Sequence, residues 1–350
     1  MAEPRAENAE SRAAVAGRSG WIISDGRAGN VVQSRGVFDA LKLDYTIKPV
    51  APTGIWKLLS PWAPVNPAER FGAQGSPFSP PWPDFAIAIG RTTIPYIRKL
   101  KAVAGLATYT IMLLDARVGT GAADLIWVPE HDTLRGPNVV TTVTAPHSFS
   151  AERLTELRKT MPPEIAALPQ PRIAVMLGGP NRIYRYTPEA TAHLASALQS
   201  LTALGASLMI TPSRRTPPGV IDFIREVTAG RPHLLWDGTG ENPYPNFLAH
   251  ADAFIAPADS INMTGEPCAT GRPVYVFEPA GGSPKFARFH ETLRRQGATR
   301  PLPALFDRLE VWSYPPISSA ENIATEIARR WLKRRRMLGG LKGNGAAPLN

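Results

Sequence analysis

Residues 251–277 read ADAFIAPADSINMTGEPCATGRPVYVF, two short apolar runs around a polar segment that carries glycine and proline. The runs at 253–256 and 274–277 have strand length, and the segment between them has room for a loop and a short helix. Proline has no N–H and is tolerated only in a helix's first turn, so Pro267 places the predicted helix start near 262–264, capped by Asn262 or Thr264. Gly271 and Pro273 then end the helix and return the chain to a strand. Strand, helix and parallel strand make a βαβ unit, the building block of sheets with helices packed on their faces. Ligands of such sheets bind beyond the carboxyl ends of the strands, where this segment delivers Asp259, Ser260, Asn262, Met263 and Thr264. The first helical amides there suit a diphosphate, and Glu266, with two acceptor oxygens, can take both hydroxyls of a ribose. A plain crossover with a fortuitous glutamate is the alternative, and Cys268 reads as buried packing.

The same alternation of apolar runs and helix-length segments extends outward. Strands are predicted at 20–24, 45–49, 85–89, 109–113, 125–128 and 139–142, with a helix at 33–41. A second series has strands at 172–177, 206–211, 233–236, 253–256 and 274–277, with helices at 188–204 and 219–228. Between the series lies a helical stretch ending in MPPEIAALPQP, whose prolines disfavour continued helix and suit a hinge near 160–171. The expected fold is α/β, with two Rossmann-like domains at 20–160 and 171–317 facing across a cleft. An amphipathic helix at 318–336 is expected to cross back to the first domain, and 1–19 and 337–350 are expected as disordered tails.

The chain has 350 residues, 43% hydrophobic and 19% charged, which excludes wholesale disorder and suffices for two medium cores. No run approaches the roughly 20 apolar residues that span a bilayer. Glu3, Glu7 and Glu10 argue against a secretory signal or an acid-poor presequence. A lone cysteine, Cys268, excludes an internal disulfide framework and cysteine-built zinc sites, and fits a reducing compartment. A cytoplasmic protein, peripheral at most, is expected. The six histidines show no HExxH or HxH spacing, so no histidine-built metal site is expected and no cofactor is called for. A metal held by substrate phosphates stays open.

A net charge of +10 suggests nucleic acid until it is located: six charges sit in Arg329, Arg330, Lys333, Arg334, Arg335 and Arg336, leaving +4 elsewhere. Basic residues at a helix end suit the helix dipole or an anionic lipid surface, and no nucleic-acid motif accompanies them. Residues 52–83 hold Trp56, Trp62 and Trp82 among many prolines, and read either as a cover over the first domain or as a flap facing a membrane or an acceptor.

Further polar loops follow other predicted strands. DGRAGNVVQSRG, after 20–24, offers Asp25, Gly26, Arg27, Gly29, Asn30 and Gln33 where a glycine-bearing loop opens a helix. LGGPNRIYRYTP offers Gly178, Gly179 and Asn181, and TPSRRTP offers Ser213, Arg214 and Arg215, whose guanidiniums can bond phosphate in pairs. Lys285 reads as a phosphate partner or a solvated helix-start lysine. Exposed loops without a ligand are the bland reading of each.

WIISDGRAGNVVQSRG, FAIAIGRTT, MLLDARVG, LGGPNRIYRY, TPSRRTP and DSINMTGEPCATGRPVYVF, in that order, are similar to the family named after the plant elongated-mitochondria fission factor. The resemblance spans roughly 20–335. More distantly, the segment around Glu266 resembles the donor-binding segment of GT-B glycosyltransferases, including the lipid-linked N-acetylglucosaminyltransferase of peptidoglycan synthesis. That resemblance implies a GT-B-like fold, a nucleotide-sugar as partner, Glu266 holding the donor ribose, and Gly26 and Gly29 in a loop facing the acceptor. Asn30 stands where that enzyme has a histidine, and cannot take a proton. Asp25, Asp115 and His131 are the remaining candidates for a catalytic base. Asp115 reads equally as an ion-pair partner of Arg117. The implied function is glycosyl transfer to an acceptor that can be lipid-linked. The alternatives are a non-catalytic fission adaptor at a membrane, or epimerisation or hydrolysis of a nucleotide-sugar on the same fold.

Overall fold

The computed structural model describes residues 3–343, and the chain divides into two compact units. One runs through Thr142, with Pro146–Ser148 and the segment from Ser319 onward; the other comprises Val143–Ala145 and Phe149–Ser318. The division falls earlier than the 160–171 hinge read from the prolines. The helix Ala151–Arg158 belongs to the second unit, because Leu154 is buried in its core with Phe149 and Ile165, and Arg158 donates to the Ala249 carbonyl at 3.1 Å.

The first unit is a parallel sheet of β1 (Ser19–Ser24), β2 (Asp44–Pro49), β3 (Phe85–Ile89), β4 (Tyr109–Leu113), β5 (Leu125–Pro129) and β6 (Val139–Thr142), in the order β2-β1-β3-β4-β5-β6. Every residue of β3, β4 and β5 is buried, as a sheet covered on both faces requires. The chain leaves β1 for one side of the sheet and returns to β3 on the other, so the β1/β3 boundary is a topological switch point.

Residues 3–15, expected within a disordered tail, form the helix Glu3–Val15, with Ser11 and Val15 fully buried. It packs against the helix Ser319–Gly343, to which Arg12 is joined by a 2.9 Å ion pair with Glu321. That second helix buries Ile323, Ala324, Ile327 and Ala328, and its Trp331 packs on Phe85 with ring centroids 5.5 Å apart. It runs beyond 336, which corrects part of the expected tail at 337–350; residues 344–350 lie outside the described residues. Much of its basic cluster is spent on the first unit. Arg329 and Arg330 pair with Glu326, Arg330 donates to the Pro137 carbonyl at 2.8 Å, Arg334 pairs with Asp124 at 3.2 Å, and Arg336 pairs with Glu10 at 2.6 Å.

The tryptophan-rich segment divides into two parts. Phe71, Phe78 and Trp82 cluster with one another and with Trp21, a cover over the sheet, whereas the short helix Gly54–Leu58 projects apolar side chains to solvent.

The second unit repeats the design. Its main sheet holds β7 (Arg172–Leu177), β9 (Ser207–Pro212), β10 (His233–Leu235), β11 (Ala253–Pro257), β12 (Val274–Phe277) and β14 (Thr299–Pro301), all parallel, in the order β10-β9-β7-β11-β12-β14. β8 (Tyr184–Arg185) and β13 (Ala280–Gly281) form a separate antiparallel ribbon. Here the switch point lies between β7 and β11. Among the described residues no helix is long and apolar enough to cross a membrane.

Candidate functional site

The loops after β7, β9 and β11 meet at the second switch point, and Asp259 ties them together. It is 3% exposed, and its carboxylate accepts hydrogen bonds from the Gly179 amide (3.3 Å), the Tyr186 hydroxyl (2.8 Å) and Arg215 Nη2 (2.8 Å). Arg215 Nη1 donates to the Gly179 carbonyl at 2.7 Å, and Asn181 Nδ2 to the Asp259 carbonyl at 3.3 Å. Thr216, behind Ser213, donates toward the Leu177 and Gly178 carbonyls and accepts from the Ser213 amide. Burial, and then the Asp259 charge, push the Tyr186 hydroxyl up, so it stays a donor.

This network changes the reading of several residues. A Cβ on Gly178 would lie 2.1 Å from Asp259 Oδ1, and one on Gly179 would lie 2.0 Å from the Arg215 carbonyl oxygen. The glycines therefore let the loops close on one another. Asp259 likewise builds the site instead of facing a ligand, since its bonds go to protein groups. The Arg215 side chain is 40% exposed, Arg214 is exposed, and Lys285 is exposed beside the Ser283 cap of the helix Pro284–Arg295.

The segment quoted first forms two short pieces. A five-residue helix, Ile261–Gly265, is capped by Ser260, whose hydroxyl accepts from the Met263 amide at 3.3 Å; a 3-10 turn, Pro267–Thr270, follows. The cap is thus Ser260 and not Asn262 or Thr264, because Pro267 opens the 3-10 turn, not the α-helix. Thr264 is fully buried and donates to the Pro257 carbonyl at 3.0 Å; Asn262 is exposed and Met263 packs against the core. A helix of one turn has little dipole, so its amides are a weaker anion seat than the sequence suggested.

Glu266 differs from Asp259. Its Oε2 accepts a 2.5 Å hydrogen bond from the Tyr244 hydroxyl, and its Oε1 takes none from the described residues. Both side chains are part-exposed yet densely surrounded, and burial pushes the Glu266 carboxyl up to about 7 although the Tyr244 hydrogen bond opposes the rise. Tyr244 is pushed well above its ordinary value by burial first and by Glu266 second. It stands at the start of the helix Tyr244–His250, edge-on to Phe149. Neither Tyr244 nor Tyr186 was singled out from the sequence. Tyr244 sits in PYPNF, where a helix start was the only signal.

At the first unit's switch point, Asp25 follows β1. Its Oδ1 accepts from Asn30 Nδ2 at 3.0 Å and from the Arg27 amide at 3.2 Å. Gly90, after β3, has φ +102°, and a Cβ there would lie 3.1 Å from both Asn30 Nδ2 and Asp25 Oδ2. The two loops therefore close through Asp25, Asn30 and Gly90. Gly26 has φ +79°, a conformation that favours glycine, and the helix Ala28–Ala40 begins without a side-chain cap, with Gly29 open to solvent and Gln33 half-buried. The other base candidates are not gathered here. Asp115 is exposed after β4 and accepts from the Arg117 backbone amide at 2.8 Å, and His131 is buried beyond β5.

A family model described as mitochondrial fission ELM1 matches residues 28–331. The chain belongs to the mitochondrial fission ELM1 family. It is 31% identical to the mitochondrial fission protein ELM1 of Arabidopsis thaliana over 276 residues, 72% of this chain and 65% of that protein. It is 32% identical over 166 residues to the uncharacterized protein RP120 of Rickettsia prowazekii (strain Madrid E), 46% of each chain. These matches thus cover less than two thirds of either relative's length. Among solved structures, a protein assigned as a UDP-N-acetylglucosamine 2-epimerase from Listeria monocytogenes superposes with a TM-score of 0.52 at 12% identity, covering 91% of this chain and 88% of that one. At that identity the likeness shows the fold: two parallel six-stranded sheets, the GT-B-like α/β class.

Proposed function

We propose that the second unit of this ELM1-family chain binds a nucleotide-diphospho-sugar at the β7/β11 switch point and uses it as a glycosyl donor. The observation that carries this is Glu266, a part-exposed carboxylate at the end of the short helix that follows β11, with one oxygen held by Tyr244 and the other taking no hydrogen bond among the described residues. A solvent-accessible carboxylate oxygen has acceptor capacity to spare, and ribose hydroxyls can donate to it. Arg214, the exposed part of Arg215 and Lys285 would stabilise the diphosphate leaving group, and Ser213, Ser260 and Asn262 would add neutral donors. Of the three base candidates, Asp25 is the one to test first, because it alone follows a strand of the first unit's switch point. The similarity to an epimerase-assigned structure supports a UDP-sugar as the donor to try first.

Isothermal titration with UDP- and GDP-sugars tests this reading. Glu266→Ala is expected to weaken binding by about tenfold to a hundredfold, the worth of hydrogen bonds to a charged acceptor. Absence of binding to every donor tried would sink it. Products formed from a labelled donor separate transfer from epimerisation and hydrolysis. One observation favours a non-catalytic adaptor: Asp25, the base candidate to test first, already accepts two hydrogen bonds from its own loop. Full cellular function in a Ser260→Ala/Glu266→Ala double variant would support the adaptor.

A further inference from the structure

The short helix Gly54–Leu58 and the turn after it carry Ile55, Leu58, Leu59 and Trp62, which are 61%, 72%, 47% and 66% exposed. Ile55, Leu58 and Leu59 recur at i, i+3 and i+4, one face of the helix and its C-cap, and Trp62 stands on the turn that follows. Large apolar side chains gathered in this way mark an interaction surface, in contrast to isolated exposed ones.

The surrounding chemistry indicates what covers the patch. Backbone polar groups entering lipid must be satisfied, and in this turn Arg91 takes up several of the carbonyls. Its guanidinium donates to the carbonyls of Lys57 (3.0 Å) and Ser60 (2.8 Å), while the Ser60 hydroxyl donates to the Trp56 carbonyl at 2.8 Å. Ser60, Pro61, Ala63 and Val65 are buried, so the tip stands on a fixed base. Charge agrees: Lys57, Arg91 and Arg98 adjoin the tip, Arg98 donating to the Pro61 carbonyl, and residues 50–68 contain no aspartate or glutamate.

We propose that Ile55, Leu58, Leu59 and Trp62 form a membrane-insertion tip that enters the headgroup region of an anionic lipid bilayer, with Lys57 and its arginine neighbours facing lipid phosphates. Tryptophan suits that region because its ring is apolar and its N–H is polar. The surface belongs to the first unit and does not rest on nucleotide binding by the second.

Co-sedimentation with vesicles of equimolar phosphatidylcholine and phosphatidylglycerol, against phosphatidylcholine alone, tests it. The wild-type chain is expected to prefer the mixed vesicles, to shift its tryptophan emission to the blue on binding, and to lose affinity with added salt. Leu58→Glu/Trp62→Glu is expected to bind mixed vesicles about tenfold less or weaker, with unchanged melting temperature. Should that variant fold poorly, the milder Trp62→Ser must weaken binding in the same direction. Equal vesicle binding by folded variant and wild type would overturn the proposal, and so would a wild type that binds neither vesicle. A wild-type dimer that the variant splits, without lipid binding, would assign the patch to a second copy of the chain instead.

Discussion

Asp259 and Glu266 stand on either side of one short helix and have opposite duties. Asp259 spends its carboxylate on Gly179, Tyr186 and Arg215, whereas Glu266 spends one oxygen on Tyr244 and leaves the other open. Removing the buried Asp259 carboxylate leaves the Gly179 amide and the Tyr186 hydroxyl without their acceptor, so Asp259→Ala is expected to cost about 3 kcal/mol in chemical denaturation and to disorder the loops after β7 and β9. The Glu266 carboxyl, raised from 4.5 to about 7, makes the folded chain bind a proton that the unfolded chain has released. Stability from this group is therefore fully present below about 4.5 and is lost as pH rises through about 7. Glu266→Gln should flatten the melting temperature across that window, and a slope that persists would assign it to another group. Tyr244→Phe removes the hydrogen bond that opposes the rise and should move the midpoint to higher pH. From the sequence Glu266 stood out as the ribose ligand and Asp259 as one more loop ligand; that Asp259 is spent on protein groups was not legible, because Tyr186 and Arg215 reach it from distant parts of the chain.

At the level of elements, most strands were legible because a sheet covered on both faces must be written in continuous apolar runs, as in FAIAI and RIAVML. The helix Glu3–Val15 was not, because its polar text buries only a few residues and gains its order from packing on the helix Ser319–Gly343. β14 escaped for a similar reason: its three residues, Thr299–Pro301, include a proline and form the edge of the sheet. The cap at Ser260 was missed since Pro267 was assigned to the α-helix when it opens the next turn. Trp331 joins two distant elements by packing on Phe85 beneath the Arg18 guanidinium. Trp331→Ala should cost about 3 kcal/mol, and it should expose the first unit's sheet to hydrogen exchange if the C-terminal helix is part of that unit's core.

Across the whole molecule, the same plan appears twice, a parallel six-stranded sheet whose switch point gathers polar loops. Ordered sequence motifs made the family and the α/β class legible, while the duties within each site depended on three-dimensional neighbours. Glycines at 178 and 179 looked like ligand-approach residues and are packing residues, and Gly36, which meets the His147 backbone, carried no motif at all. The central claim is that the second switch point seats a nucleotide through Glu266. A crystal structure of the chain with UDP-N-acetylglucosamine tests it most directly. The expected result is a ribose hydroxyl within hydrogen-bonding distance of Glu266 Oε1, with the diphosphate toward Arg214 or Arg215. An empty β7/β11 crevice at saturating ligand, or a nucleotide ordered elsewhere, would contradict it.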